Sequence, residues 1–207
     1  MPITELALLR LTPDTCRTSP TLASALSTAK TAMESFTSYP FYFYTQVEDP
    51  AYIYVIGRWD SLAQHVDEWI PSDANQDILK SVKGLVDVVW LVHMDLGQRK
   101  VPVEAGVMRI DRYGVKKGRK GDVERVVEGQ KSALDRACAP ISVAGGWRID
   151  CEEEGGDARD EYVLFRGWRH VREHEEYSQT EECKVYYRKM RDSLEMLDVK
   201  HAVRWDI

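Results

Sequence analysis

The sequence predicts an α+β protein made of two successive βαββαβ halves, residues 1–100 and 101–207, that pack sheet to sheet. Three matches between the halves lead there. Glu5-Leu6-Ala7-Leu8-Leu9-Arg10-Leu11 agrees in residue class at every position with Glu104-Ala105-Gly106-Val107-Met108-Arg109-Ile110. Tyr52–Trp59 followed by His65 parallels Glu161–Trp168 followed by His174, with the same spacing from tryptophan to histidine. Val92-His93-Met94-Asp95-Leu96 answers Val203-Arg204-Trp205-Asp206-Ile207. Three matches in one order are the signature of an internal repeat.

In the first half, residues 3–11 are leucine rich and too short a run for a helix, so they read as a strand. Pro20-Thr21 opens a segment with Leu22, Ala25, Leu26, Ala29, Ala32, Met33 and Phe36 on one helical face. Phe41–Val47 and Ala51–Trp59 are aromatic, β-favouring runs separated by Glu48-Asp49-Pro50, which predicts a hairpin. Ser61 can cap a helix carrying Leu62, Val66 and Trp69, interrupted at Pro71 and resumed through Ile78, Leu79 and Val82. Val86–Leu96 closes the half as a strand. The second half repeats the order with a strand at Ala105–Asp111, a helix over Val123–Ala137, strands at Trp147–Cys151 and Tyr162–Trp168, a helix over Val171–Leu197 and a last strand at Val199–Ile207. Its two polar insertions, 116–121 and 152–157, read as solvated loops.

Both sides of the closing strand are apolar. Val86, Val88, Trp90, Val92, Met94 and Leu96 line one side and Val89 and Leu91 the other, so both faces are expected to be buried. Stacking the two sheets would remove that surface from water, and the chain would then form a self-contained pseudo-dimer, with a further homodimer compatible.

Composition narrows the function. With 28 basic and 34 acidic residues the formal charge is -6, which disfavours a general polyanion binder, so nucleic acid is not an expected partner. No stretch approaches the length of uncharged residues that a bilayer demands, and no basic-then-apolar leader opens the chain; a soluble, cytoplasmic location without membrane contact is expected. Cys16, Cys138, Cys151 and Cys183 fall singly and read as free thiols, with no metal site expected. There is no GxGxxG, phosphate loop, GxSxG or HExxH, so no cofactor is expected.

The stretch Gly57-Arg58-Trp59-Asp60-Ser61-Leu62-Ala63-Gln64-His65, and its echo Gly167-Trp168-Arg169-His170-Val171-Arg172-Glu173-His174, resembles the strand-end W-x-S-x-x-x-H pattern of the dimeric α/β-barrel superfamily. Those are ferredoxin-like units that pair into a barrel. They include antibiotic-biosynthesis-monooxygenase-like domains and stress-responsive A/B-barrel proteins. The resemblance implies an intramolecular dimeric α/β barrel and a ligand pocket between sheet and helices. It is compatible with cofactor-independent oxygenases of polycyclic phenols, polyketide cyclases, lactone isomerases, haem-degrading enzymes and proteins without activity. The echo departs from the pattern, with Arg169 for Asp60 and His170 for Ser61.

The aromatic concentration places the expected pocket in the first half, lined by Tyr42, Tyr44, Tyr54, Trp59, Trp69 and Trp90; the same side chains would serve equally as core. His65 is the candidate general base or acid, because imidazole titrates near neutrality. His174 is its counterpart on a charged helix. His201 shares an apolar strand face with Val203 and Trp205, is the second candidate, and is not repeat-equivalent to His93 in this alignment. Arg10 and Arg109 are repeat-matched strand cations that need a carboxylate, a ligand anion or solvent, and Arg10 is the candidate ligand contact.

The leading expectation is therefore a cofactor-free monooxygenase or cyclase of specialised metabolism acting on an aromatic or polyketide-like small molecule. A non-catalytic small-molecule-binding or stress-associated barrel protein is the second reading, and haem binding or degradation, which needs an axial histidine on an open pocket, is the third.

Overall fold

The computed structural model describes residues 2–150 and 160–207; Cys151 and the acidic insertion at 152–157 lie outside the described residues. The chain divides into two units, Met1–Gln98 with Ala202–Ile207, and Arg99–His201.

In the first unit, β1 (Ile3–Leu11) is buried along its length except at Arg10. Helix α1 (Pro20–Thr37) starts where the sequence predicts. Ser19 accepts from Leu22 N, proline occupies the first turn, where its missing N–H costs nothing, and Leu22, Leu26 and Ala29 face inward. Strands β2 (Tyr42–Gln46) and β3 (Tyr52–Trp59) form the hairpin, and Asp49 Oδ1 accepts from Ala51 N at 3.0 Å to hold its turn. Ser61 Oγ caps the next segment through Gln64 N at 3.1 Å. That segment, Gln64–Trp69, is a π-helix, and a separate helix α2 (Asp73–Val82), capped by Ser72, follows Pro71.

Strand β4 (Val86–Met94) pairs with β1, and the strand order is β4-β1-β3-β2, with Ala202–Arg204 pairing with Gln46–Tyr44 at the far side. The register between β1 and β4 shifts between Leu8 and Leu9, which leaves Val89 as the extra residue. Here the expectation of two buried faces fails. Val88 is 60% and Val89 47% exposed, because β4 is the edge strand and the irregularity turns successive side chains outward.

The second unit has β5 (Val107–Val115), α3 (Lys120–Cys138), β6 (Val143–Trp147), β7 (Asp160–Trp168), α4 (Val171–Ser178), α5 (Glu181–Arg191) and β8 (Leu194–Arg204), in strand order β8-β5-β7-β6. The element order βαββαβ thus occurs twice, with the last helix split in the second unit. The split falls at Thr180, whose hydroxyl accepts from Cys183 N at 3.2 Å and donates to Tyr177 O at 2.7 Å, ending one helix and starting the next.

Pairing registers correct the sequence alignment of the first strands. Trp59 lies opposite Ile3 and Gly57 opposite Glu5; Trp168 lies opposite Val107 and Arg166 opposite Arg109. Counted from the tryptophans, Arg109 therefore corresponds to Glu5, not to Arg10, and Asp111 corresponds to Ala7. Glu104 stands before β5 begins. Each unit has its own apolar core on the face that carries its tryptophan: Leu22, Leu26, Phe41, Phe43, Trp59 and Trp69 in the first, Val123, Leu134, Trp168, Tyr177, Tyr186 and Met190 in the second.

Candidate functional site

In the first unit, antiparallel pairing sets Glu5 on β1 opposite His93 on β4 and Gly57 on β3. The π-helix that follows β3 then drops His65 over the same spot. Gly57 is required there, because a Cβ would collide with the ring of Phe41. Glu5, His65 and His93 are all buried. Glu5 Oε2 accepts from Trp59 Nε1 at 2.6 Å and lies 3.4 Å from His65 Nε2. His65 Nδ1 is 2.6 Å from His93 Nε2. The His65 ring stacks on Trp59 with centroids 4.3 Å apart and planes 24° apart, and Trp69 and Phe36 close the aromatic box.

The proton positions follow from the partners. A carboxylate can only accept, so it favours the proton on His65 Nε2; His65 Nδ1 then accepts, and His93 Nε2 donates. The result is a chain from carboxylate to imidazole to imidazole, in which the charge of Glu5 stabilises an added proton. The ligand atoms of these three residues also lie within 4.8 Å of one another, a two-histidine, one-carboxylate donor set suited to a divalent transition-metal ion.

The second unit builds the same frame with the opposite charge. His174 Nδ1 is 2.8 Å from His201 Nε2, repeating the His65–His93 contact atom for atom, so His201 is the counterpart of His93, which the alignment of the closing strands misses. Where Glu5 stands in the first unit, Arg109 Nη1 meets His174 Nε2. A guanidinium can only donate, so His174 carries its proton on Nδ1 and the chain runs in reverse. Burial, and then the Arg109 charge, lower the His174 pKa to about 3.

Behind this pair lies a buried polar cluster. Asp111 Oδ1 accepts from Arg109 Nε at 2.6 Å, and Asp111 Oδ2 accepts from Tyr113 at 2.8 Å and from Arg166 Nη2. Burial opposes the Asp111 charge, yet Arg109 and Arg166 hold its carboxyl below the usual range. Tyr187 Oη accepts from Arg166 Nη2 at 2.8 Å and from Arg109 Nη2. Tyr187 also lines a pocket of about 700 Å³ formed by α5 and the start of β8.

The structure brings together only part of the sequence-predicted site. His65, Trp59 and Trp69 meet on the core face of the first sheet. Tyr42, Tyr44, Tyr54 and Trp90 have the opposite strand parity and lie on its other face, where Tyr54 and Trp90 contact at 6.1 Å and Arg204 sits 4.6 Å over the Tyr42 ring. Arg10 is exposed, 5.7 Å from the Tyr52 ring. His65 and His201 belong to different units, each with its own histidine partner. Sequence does not single out Glu5, and between the two closing-strand histidines it favours His201 as the better buried, whereas His93 is the more deeply buried of the two; a glutamate between apolar neighbours on a buried strand is the signal that could have found Glu5.

No protein-family model matches the chain, and no curated protein matches it. Solved structures do. An anthrone oxidase-like protein has a TM-score of 0.69 at 10% identity, covering 99% of this chain and 92% of its own. A provisionally assigned monooxygenase from Lactobacillus acidophilus has a TM-score of 0.62 at 16% identity, over 98% and 93%. A dye-decolorizing peroxidase from Bacteroides thetaiotaomicron has 0.61 at 6% identity, over 98% and 92%. These likenesses show the fold alone: an α+β chain of ferredoxin-like architecture.

Proposed function

We propose that this protein is an enzyme of the monooxygenase type that acts, without an organic cofactor, on an aromatic or polyketide-like phenol or enol. The carrying observation is the buried chain Glu5–His65–His93. It sits in an aromatic box on a π-helical segment, a distortion that recurs at functional sites. In this reading the imidazole pair takes an acidic C–H or O–H proton from the substrate, and Glu5 stabilises the charge it acquires. The resulting enolate reduces dioxygen; one oxygen atom stays on the substrate carbon as a carbonyl and the other leaves as water with the two hydrogens of a methylene. Trp59 and Trp69 are buried in this box, and Phe36, at its exposed edge, is the flat apolar surface that such a ring system would meet first.

The same reading takes residues 1–100 and 101–207 as two copies of one unit, supported by the shared element order and the repeated tryptophan–histidine–histidine frame. Among the described residues His65, His93, His174 and His201 each contact another histidine, and His170 is exposed, so this reading assigns no axial haem ligand at the α5 pocket, which no histidine lines.

Anthrone serves as the probe substrate. Oxidation to anthraquinone consuming one dioxygen per product, unaffected by chelator, is the expected result, with kcat/KM falling by at least about a hundredfold in Glu5→Gln and His65→Gln. Absence of turnover on anthrone and related flat phenols, or variants as fast as the wild type, would overturn the reading. Loss of activity to chelator and its return with a divalent ion would move the reaction to a metal held by Glu5, His65 and His93, the second reading that their donor set favours.

A further inference from the structure

The second unit contains more positive charge than its buried neighbours neutralise. Arg166 is fully buried and Arg109 nearly so, and between them stands one carboxylate, Asp111. The other buried acid nearby in the strand pairing, Glu161, is taken by Arg112 and Arg148. His174 adds no negative charge. In addition, Nε and Nη1 of Arg166 and Nε1 of Trp168 are buried donors with no hydrogen-bond partner among the described residues. In the first unit the corresponding indole is satisfied by Glu5. A buried guanidinium with unmet donors and an uncompensated charge is costly unless an anion completes it.

Of this cluster, Tyr187 lines the pocket at α5, and Arg109, Arg166 and Trp168 do not. Tyr187 belongs to both structures: it lines the pocket, and its hydroxyl rests on both guanidinium groups. Because its oxygen accepts from two cationic donors, the proton it carries is what it can offer to a ligand. Burial, and then the Asp111 carboxylate, push the Tyr187 phenol up, so the hydroxyl keeps that proton at neutral pH. The remaining wall is two-sided. Leu194, Met196 and Leu197 on β8 are apolar, with Glu195 among them, whereas α5 brings Lys184, Arg188 and Arg191 to the mouth, Arg188 paired with Glu181 and Arg191 with Asp192.

We infer that the pocket between α5 and β8 is a binding site for an amphipathic organic anion, an aromatic or long-chain carboxylate, whose acidic end is held by Tyr187 on Arg109 and Arg166. The apolar body lies along Leu194, Met196 and Leu197, and the basic mouth favours entry of the charged form. The site shares no residue with Glu5, His65 and His93, so it stands or falls apart from the proposed oxygenase chemistry.

Calorimetric titration of the full chain with benzoate, 2-naphthoate and decanoate tests this, with methyl 2-naphthoate as the uncharged match. Saturable binding of at least one acid is expected, with the ester binding at least about tenfold more weakly than 2-naphthoate. Tyr187→Phe removes one hydroxyl and should weaken the acid by about tenfold or more, with circular dichroism and thermal melting showing that it is folded. Arg188→Gln with Arg191→Gln, both at the surface, should lower the salt dependence of binding. Glu5→Gln should leave the 2-naphthoate Kd unchanged, which separates this site from the proposed base. Binding of none of the three acids, an ester as tight as the acid, or a folded Tyr187→Phe with unchanged Kd would overturn the inference.

Discussion

The two units place the same pair of histidines, in contact through the same ring nitrogens, beside a buried residue of opposite charge. In the first unit Glu5 ties down the Trp59 indole and draws the proton of His65 toward itself. In the second, Arg109 stands in its place, the Trp168 indole has no acceptor among the described residues, and the hydrogen-bond chain through His174 and His201 runs in reverse. Neighbouring positions follow the exchange: Gly57 becomes Arg166, Ala7 becomes Asp111 and Leu9 becomes Tyr113. Near Gly57 the first unit packs Phe41 against the strand, whereas the second leads a fully buried guanidinium inward. One frame thus carries a buried carboxylate in the first unit and a buried guanidinium cluster in the second, with four strand positions exchanged between them.

The largest effect is expected at Asp111. It is the carboxylate shared by two buried guanidiniums, so Asp111→Asn should cost about 3–5 kcal/mol in chemical denaturation. Glu5→Gln keeps an oxygen for the Trp59 indole and should cost less, about 1–3 kcal/mol. If Glu5→Gln proved the more damaging, the second unit's cluster would not be the charge-stressed one.

A smaller effect separates the histidines by pH. His174 titrates near 3 in the folded protein, because burial and Arg109 disfavour its charged form, against about 6.5 in an unfolded chain. Between those values the unfolded state binds the extra proton, so stability is retained above about pH 6.5 and falls as pH drops through the window, by at most about 1.4 kcal/mol per unit. His174→Gln, whose side-chain carbonyl can still accept from Arg109, should lack that component. The gap between variant and wild type in thermal melts should change steadily from pH 7 to pH 4; parallel acid limbs would show that Arg109 does not hold His174 neutral.

Much of this architecture was legible in the sequence because local rules acted alone. The leucine run of β1, the Ser19-Pro20 start of α1 and the aromatic hairpin are where they were expected. What failed depended on register. The second half's first strand begins at Val107 and not Ala105, which re-pairs Arg109 with Glu5's position. The strand near Trp147 ends at that residue instead of starting there, and Thr180 splits a helix that periodicity alone joined. In the site, His65 and Trp59 carried a short-range spacing signal. Glu5 and His93 carried none, since the partners that give them meaning lie 54 and 28 residues away in the chain. Strand parity was the unused clue: Tyr54 and Trp59 stand on opposite faces of one strand, so they could not line one pocket.

Thiol reactivity reports the smallest of these differences between the units. Cys16, in the first unit, is exposed, and hydrogen bonds from Thr18 lower its pKa. Cys138 and Cys183 lie in the second unit's core, and burial pushes Cys138 up to about 12 and raises Cys183. With Cys151 replaced by serine, an aromatic disulfide reagent at pH 8 should label Cys16 at once and the other two only when the second unit opens. Cys16→Ser should therefore abolish the rapid phase and leave a slow one that reports the second unit alone. Asp111→Asn should accelerate that slow phase, whereas Glu5→Gln should change it by less than about twofold if the units open separately. Equal acceleration by both variants would mean that the two units lose structure together, and the charge exchange would then be felt across the chain and not within one unit.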